Sequence, residues 1–218
     1  CALPISAPLR ISRPYASPER INAIEGKSMQ VANVPYGFYT YVVRPNLRLE
    51  RGFPWIYLGS NTPGHHFPAA KIDLPDHTLA MPYAMPGLFL LATAGCLLSA
   101  WCAPGARVAI AVTWLAAVPM SLALFAAVAT AQRYTGDFCP LLVTASALGL
   151  AGISALRPAA RVIALILAGL ATTAAVAVTW ALTLHYQGDT LWGVPEETRA
   201  HYRELRQAVD AGVTPKPR

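Results

Sequence analysis

The chain has 218 residues, 55% of them hydrophobic and 13% charged, with a formal net charge of +6. A soluble domain carries about twice that charged fraction, and here residues 84–184 hold only five charged side chains: Arg107, Arg133, Asp137, Arg157 and Arg161. An apolar block of that kind belongs to a membrane protein, against the competing reading of an all-buried soluble bundle, and no run of Lys and Arg interleaved with aromatics offers a nucleic-acid surface.

The opening Cys1-Ala2-Leu3-Pro4-Ile5-Ser6 matches a translated sequencing adapter, so residues 1–6 are expected to be foreign and the natural protein to continue upstream. Residues 7–83 are rich in proline, aromatics and scattered charge and contain no apolar stretch of spanning length. Ser17-Pro18-Glu19-Arg20 has the pattern of a helix start, with Ser at the N-cap and Pro at the first helical position. A second helix is predicted from Ser28 to Val43, broken near Pro35 and ended before Pro45. Its Tyr36, Phe38, Tyr39 and Tyr41 suit the headgroup level, where amphipathic rings settle. From Arg51 to Met85 the prolines at 54, 63, 68, 75 and 82 forbid long helices, so an extramembrane loop is expected over the membrane face.

Four transmembrane helices follow, at 84–103, 108–131, 138–156 and 162–184, the second carrying Pro119. A 20-residue helix covers the ~30 Å hydrocarbon core, and each segment is of that order. The last span contains seven Ala, one Gly and four Thr, side chains that let helices approach closely. Beyond it, Tyr186 and Trp192 mark an interface. Pro195-Glu196-Glu197 then opens an amphipathic helix, about 195–210, with Tyr202, Leu205 and Val209 as its apolar stripe. The fold class read from the sequence is an all-α membrane protein. It has four spans, a Pro/aromatic-rich extramembrane N-terminal segment and a short C-terminal amphipathic helix.

The two short loops 104–107 and 157–161 hold Arg107, Arg157 and Arg161 without an acid, and the positive-inside rule assigns them to the cytoplasm. Both termini are then extracytoplasmic. Cys96 and Cys102 lie six residues apart on different helix faces, and the cysteines form no CxxC or Cys/His ligand spacing.

Two clusters carry chemistry. Arg133-Tyr134-Thr135-Gly136-Asp137-Phe138-Cys139-Pro140 opens the third span on the extracytoplasmic side. Asp137 there can cap the helix and pair with Arg133, or Arg133 can grip an anionic headgroup with Tyr134 against the lipid or sugar. The second cluster is His65, His66, Asp73, Asp76 and His77, imidazoles and carboxylates that can hold a divalent ion although their spacing matches no ligand motif. A transporter would need an ionisable group or a broken helix near the midplane, and Pro119 supplies only the break. A structural membrane subunit is the third reading.

The Arg-Tyr-x-x-Asp-Phe-x-Pro pattern at 133–140 resembles the C-terminal part of large bacterial polytopic membrane proteins, some of them glycosyltransferases of the GT-C type. The aromatic segment from Tyr36 to Trp55 and the helix after the last span fit that resemblance. It implies location in the bacterial inner membrane, packing against upstream helices, and sugar transfer from a polyprenyl-phosphate donor at the outer face. A divalent metal often serves such enzymes as cofactor. The resemblance also puts the catalytic acid in a first outer loop that these 218 residues do not include.

Overall fold

In the computed structural model residues 22, 24–59, 66–188 and 194–213 are described. The expectations for residues 1–6, Ser17–Arg20, His65 and Trp192 lie outside them. The chain is mostly helical. Helix α1 (Val34–Phe38) is preceded by a 3-10 turn at Val31–Asn33 and followed by a π turn at Tyr39–Val43. A hairpin of β1 (Leu47–Leu49) and β2 (Ile56–Leu58) comes next, then β3 (Leu74–Pro75) and the one-turn α2 (Met81–Ala84). The apolar block follows as α3 (Pro86–Cys102), α4 (Arg107–Ala126), β4 (Ala129–Thr130), α5 (Gln132–Ser154) and α6 (Pro158–Gly188). Helix α7 (Glu196–Val213) closes the described chain.

Three helices are long and apolar enough to cross a membrane: Pro104–Ala126, Gln132–Ser154 and Pro158–His185. The first predicted span is the short one. At 17 residues, Pro86–Cys102 reaches about 25 Å, because Met85 leaves helical geometry (φ −136°, ψ 55°) and Pro86 restarts the helix.

Helices α3 and α5 run parallel with their backbones in contact. The Ser146 hydroxyl donates to the Leu88 carbonyl (3.0 Å) and the Cys96 thiol to the Ala145 carbonyl (3.1 Å). A Cβ placed on Gly95 would stand 2.7 Å from the Gly149 Cα, and one placed on Gly149 would strike the Leu91 carbonyl. That carbonyl belongs to a π turn at Leu91–Gly95 inside α3. Small residues supply this association because lipid tails give apolar side chains no preference for another helix. Helices α4 and α6 by contrast present long exposed apolar faces, such as Val108, Val112, Leu115, Ile163, Ile166 and Leu170, as lipid-facing helices do.

The connectivity sets two ends. The loops at 103–106 and 155–157 lie at one end. At the other, residues 24–59 and 66–80, β4 and α7 form a cap over the starts of α3 and α5. At 31 residues α6 is about 46 Å long, beyond the ~30 Å hydrocarbon core, and its C-terminal turns enter the cap. There Leu182 packs with Leu58, Leu79 and Ala84, while Tyr57 meets His185 edge-on at 4.8 Å.

Several expectations are corrected. Helix α4 stops at Ala126 and does not continue to Ala131; residues 127–130 are extended. Gln30 N–H donates to the Ala126 carbonyl (2.7 Å), Val128 N–H to Ser28 (3.1 Å), Asp73 N–H to Val128 (2.8 Å) and Asp76 N–H to Thr130 (3.1 Å). Strand partners on both sides thus outcompete the last helical turn, and the chain is not purely α-helical. Helix α5 begins at Gln132, six residues before the predicted 138. Tyr36 and Tyr41 are fully buried in the cap and do not sit among headgroups, and the helical turns holding them start at Val31, not Ser28. Helix α7 docks through polar atoms more than through its apolar stripe. Arg206 Nη2 donates to the carbonyls of Leu184 (3.2 Å) and His185 (3.1 Å), and Asp210 accepts from Phe53 N–H (2.8 Å), while Leu205 is exposed.

The α3–α5 contact has a direct test. Replacing Gly149 with Val forces the helices apart and is expected to cost about 1–3 kcal/mol or more, read as a lowered Tm in detergent. The same change at Gly169, where a Cβ meets nothing within 4 Å, should leave the Tm near its starting value.

Candidate functional site: the mouth of α5

The mouth is built on the strand that replaces the end of α4. Asn33, fully buried, fixes that strand from below. Its Nδ2 donates to the carbonyls of Lys71 (3.1 Å), Ala127 (3.3 Å) and Ala126 (3.4 Å), and its Oδ1 accepts from Lys71 N–H (2.7 Å). Tyr41 fixes it from the side, its phenol oxygen accepting from Ala131 N–H at 3.1 Å. Burial raises the Tyr41 phenol above its ordinary pKa, so it remains the neutral form. Its ring packs against Phe138 (6.0 Å between centroids) and Phe125 (6.4 Å), closing an aromatic cluster beneath the mouth.

Helix α5 then starts with Gln132. The Gln132 Oε1 accepts from Leu79 N–H (2.7 Å), locking the loop before α2 to the mouth. Arg133 and Asp137 are both exposed and stand one helical turn apart. The Arg133 guanidinium lies 5.2 Å over the Tyr134 ring, a cation–π geometry. Asp137 does not cap the helix as expected, because the helical turns already begin at Gln132 and place it in their second turn. Of the three residues singled out in the sequence, Arg133 and Asp137 are exposed one turn apart, while Tyr134 is half-buried against the core cluster with the Arg133 guanidinium over its ring. A positively charged planar group, an aromatic face and a carboxylate in that arrangement can hold a phosphate and orient a hydroxylated group beside it.

The second cluster is less compact. His66 is exposed. The His77 ring pairs through Nδ1 with the Gly59 carbonyl (2.8 Å), and Asp76 Oδ1 accepts from His77 N–H (2.8 Å). Asp73 lies where the loop pairs with Val128. Among the described residues no three His, Cys, Asp or Glu side chains form a group able to hold a metal ion.

Beside the mouth runs a cleft along α6, facing Ala84, Met85 and the start of α5 above and the start of α3 below. Its upper part, about 300 Å³, is bordered by Gln132, Thr135, Gly136, Thr179 and Thr183. Its lower part, about 540 Å³, descends to Leu88, Leu91, Thr172 and Ala175. Both parts are bordered by Ala84, Met85, Thr179 and Thr183. Sequence reasoning missed Asn33, Gln132 and the cleft. Gln132 carried a faint signal, as an uncharged polar residue where an apolar run meets Arg133, but nothing local marks Asn33 as a long-range partner.

The fold and the mouth define a mostly helical protein of membrane type, with at least three apolar helices of spanning length under an ordered cap. No family model matches the sequence, and neither a characterised protein nor a solved structure shows significant similarity to it.

The support beneath the mouth is testable. Tyr41→Phe removes the acceptor of a buried N–H and should destabilise the protein by about 1–3 kcal/mol, with faster amide exchange at Ala131. Tyr39→Phe, in the same turn but half-buried, should change neither.

Proposed function

We propose that the chain is the four-crossing part of a multi-pass membrane protein that binds a lipid-linked phosphate at the Arg133 mouth. In this reading the short α3 is the fourth crossing, and the reaction served is sugar transfer from a polyprenyl-phosphate donor. The observation that carries it is the exposed Arg133 guanidinium over Tyr134, one turn from Asp137, where α5 leaves the apolar block beneath the cap. A guanidinium grips phosphate through two parallel donors, and an adjoining aromatic face suits a sugar or an isoprenoid. The absence of charge deeper in α3–α6 favours this over a transport path, which uses ionisable groups near the midplane. Pro119, the one candidate break, sits inside a continuous α4.

Orientation belongs to the same proposal. Arg107, Arg157 and Arg161 gather at the loop end of the bundle and the cap at the other, so the positive-inside rule directs the cap outward. Reporter fusions after Gly105 and Ala159 should report cytoplasm and those after Gly136 and Gly188 the outside. Cytoplasmic signals at Gly136 and Gly188 would invert the assignment.

Arg133→Ala is expected to weaken binding of a polyprenyl phosphate about ten- to a hundredfold, as loss of a charge-assisted contact worth roughly 1.5–3 kcal/mol. Arg133→Lys should recover only part of it, because an ammonium lacks the two-pronged geometry. Affinity measured in nanodiscs alongside the Tm decides the matter. Unchanged affinity in Arg133→Ala would reduce the residue to a helix anchor.

A further inference from the structure

The helical run at residues 31–43 has a surface that the Arg133 mouth does not use. A 3-10 turn, α1 and a π turn follow one another there with helical backbone angles at each junction, so the run is unbroken. Its polarity is inverted. Asn33, Tyr36, Thr40 and Tyr41 are buried and Tyr39 is half-buried, so none of its side chains bearing a polar atom is exposed. The exposed positions are Val31, Ala32, Pro35, Phe38 and Val43, and Val31 is 85% exposed. A helix between a protein core and water shows the opposite order, apolar inward and polar outward. Single apolar residues on a wetted surface are ordinary, whereas a whole helical face without a polar side chain marks contact with something apolar. The nearest charges stand outside the run, at Lys27 before it and Arg44 after it.

The run lies across the capped end of a helix of spanning length. Gln30 N–H, just before it, donates to the Ala126 carbonyl (2.7 Å). A Cβ on Gly37 would strike the Phe125 carbonyl, and Phe38 meets the Phe125 ring edge-on at 5.8 Å. Phe125 is in the last turn of α4, whose 20 residues cover the ~30 Å hydrocarbon core. The run therefore stands at the edge of that core. On α4, Leu122 and Val118 lie below Phe125 on the same side, at i−3 and i−7, and both are exposed as lipid-facing residues are. Phe38 continues that stripe.

We infer that Val31, Pro35 and Phe38, at i, i+4 and i+7 of this run, form a seat on the bilayer, their side chains among the upper acyl chains of the leaflet beneath the cap. Two observations name lipid as the occupant. The face continues the lipid-facing stripe of α4 at the same level. It also offers no side-chain donor or acceptor, whereas a protein–protein interface carries about one hydrogen bond per 100–200 Å². Acyl chains require none. The residues that meet the membrane are thus not the tyrosines that the sequence suggests, since Tyr36 and Tyr41 turn inward and the aliphatic side turns out. Tyr41 of the same run holds Ala131, so the seat sets the depth at which the mouth opens. The inference stands independently of the transferase reading, because it uses neither Arg133 nor a sugar donor.

The test uses the whole chain in nanodiscs of phosphatidylethanolamine and phosphatidylglycerol. The photoreactive p-benzoylphenylalanine is placed at one position at a time: Val31, Phe38, Leu122 on the exposed stripe of α4, or Glu204 on the exposed side of α7. After irradiation, intact mass and peptide mapping identify what has been captured. Val31 and Phe38 should gain the mass of one phospholipid in a yield close to that at Leu122, with little gained at Glu204. Should the Phe38 variant fold poorly through loss of its contact with Phe125, the exposed Val31 carries the same readout without touching a buried position. Val31→Asp, which puts a charge on the seat, should lower the Tm in nanodiscs. At a water-facing position so exposed it would leave the Tm near its starting value. Yields at Val31 and Phe38 no higher than at Glu204, capture of a second copy of the chain at either position, or an unchanged Tm in Val31→Asp overturns the seat.

Discussion

The structure depends on how the backbone is satisfied between α4 and α5. A chain that leaves helical geometry beside a membrane exposes N–H and C=O groups that hydrocarbon cannot solvate, each at several kcal/mol. Residues 127–131 do so, and they find partners in Ser28–Gln30 on one side, Asp73–Asp76 on the other, and the side chains of Asn33 and Tyr41. Segments separated by about a hundred residues are thereby held at one level. The cap is the means by which the apolar block ends a helix early.

A different physics holds the helices below. Within the bilayer the hydrophobic effect gives no reason for apolar helices to meet, so close approach and interhelical hydrogen bonds must do it. Helices α3 and α5 meet over Ala92, Gly95, Cys96 and Ser99 on one and Ala145, Ser146, Gly149 and Gly152 on the other, all buried. Helix α6 meets the first turn of α3 at Gly87 and Thr172 and stays packed above that contact, where Ala181 and Leu182 are buried. Helix α7 reinforces the upper packing, Arg206 reaching carbonyls in the last turns of α6 where a cation is favoured by the helix dipole.

The mouth inherits its rigidity from the strand. Gln132 is tied to Leu79, Ala131 to Tyr41, and Phe138 lies in the aromatic cluster, so the helix carrying Arg133 and Asp137 is fixed on three sides while those two side chains stay exposed. Exposed polar side chains on a rigid support are what a binding surface needs, since little ordering entropy is then lost on contact.

The sequence alone determined the apolar block, the short loops near 104–107 and 157 that divide it, and the amphipathic end helix. These follow from hydropathy, proline geometry and helical periodicity, all local properties. Tertiary structure alone decided that α4 ends at Ala126, that Tyr36 and Tyr41 are interior, and that α7 docks by Arg206 and Asp210. Residues 127–131 are apolar except for Thr130 and continue the pattern of α4 without a break. Their extended form comes from hydrogen-bond partners far away in the chain, which no window of sequence contains. Asn33 is equally silent locally, one polar residue between Val31 and Val34, and becomes the keystone only when Lys71 and Ala127 are brought to it. Aromatics suited to headgroups suit a buried cluster equally well, because both environments take a large ring with one polar atom. The choice between them was made by Phe125 and Phe138, contributed by helices that meet only in the folded chain.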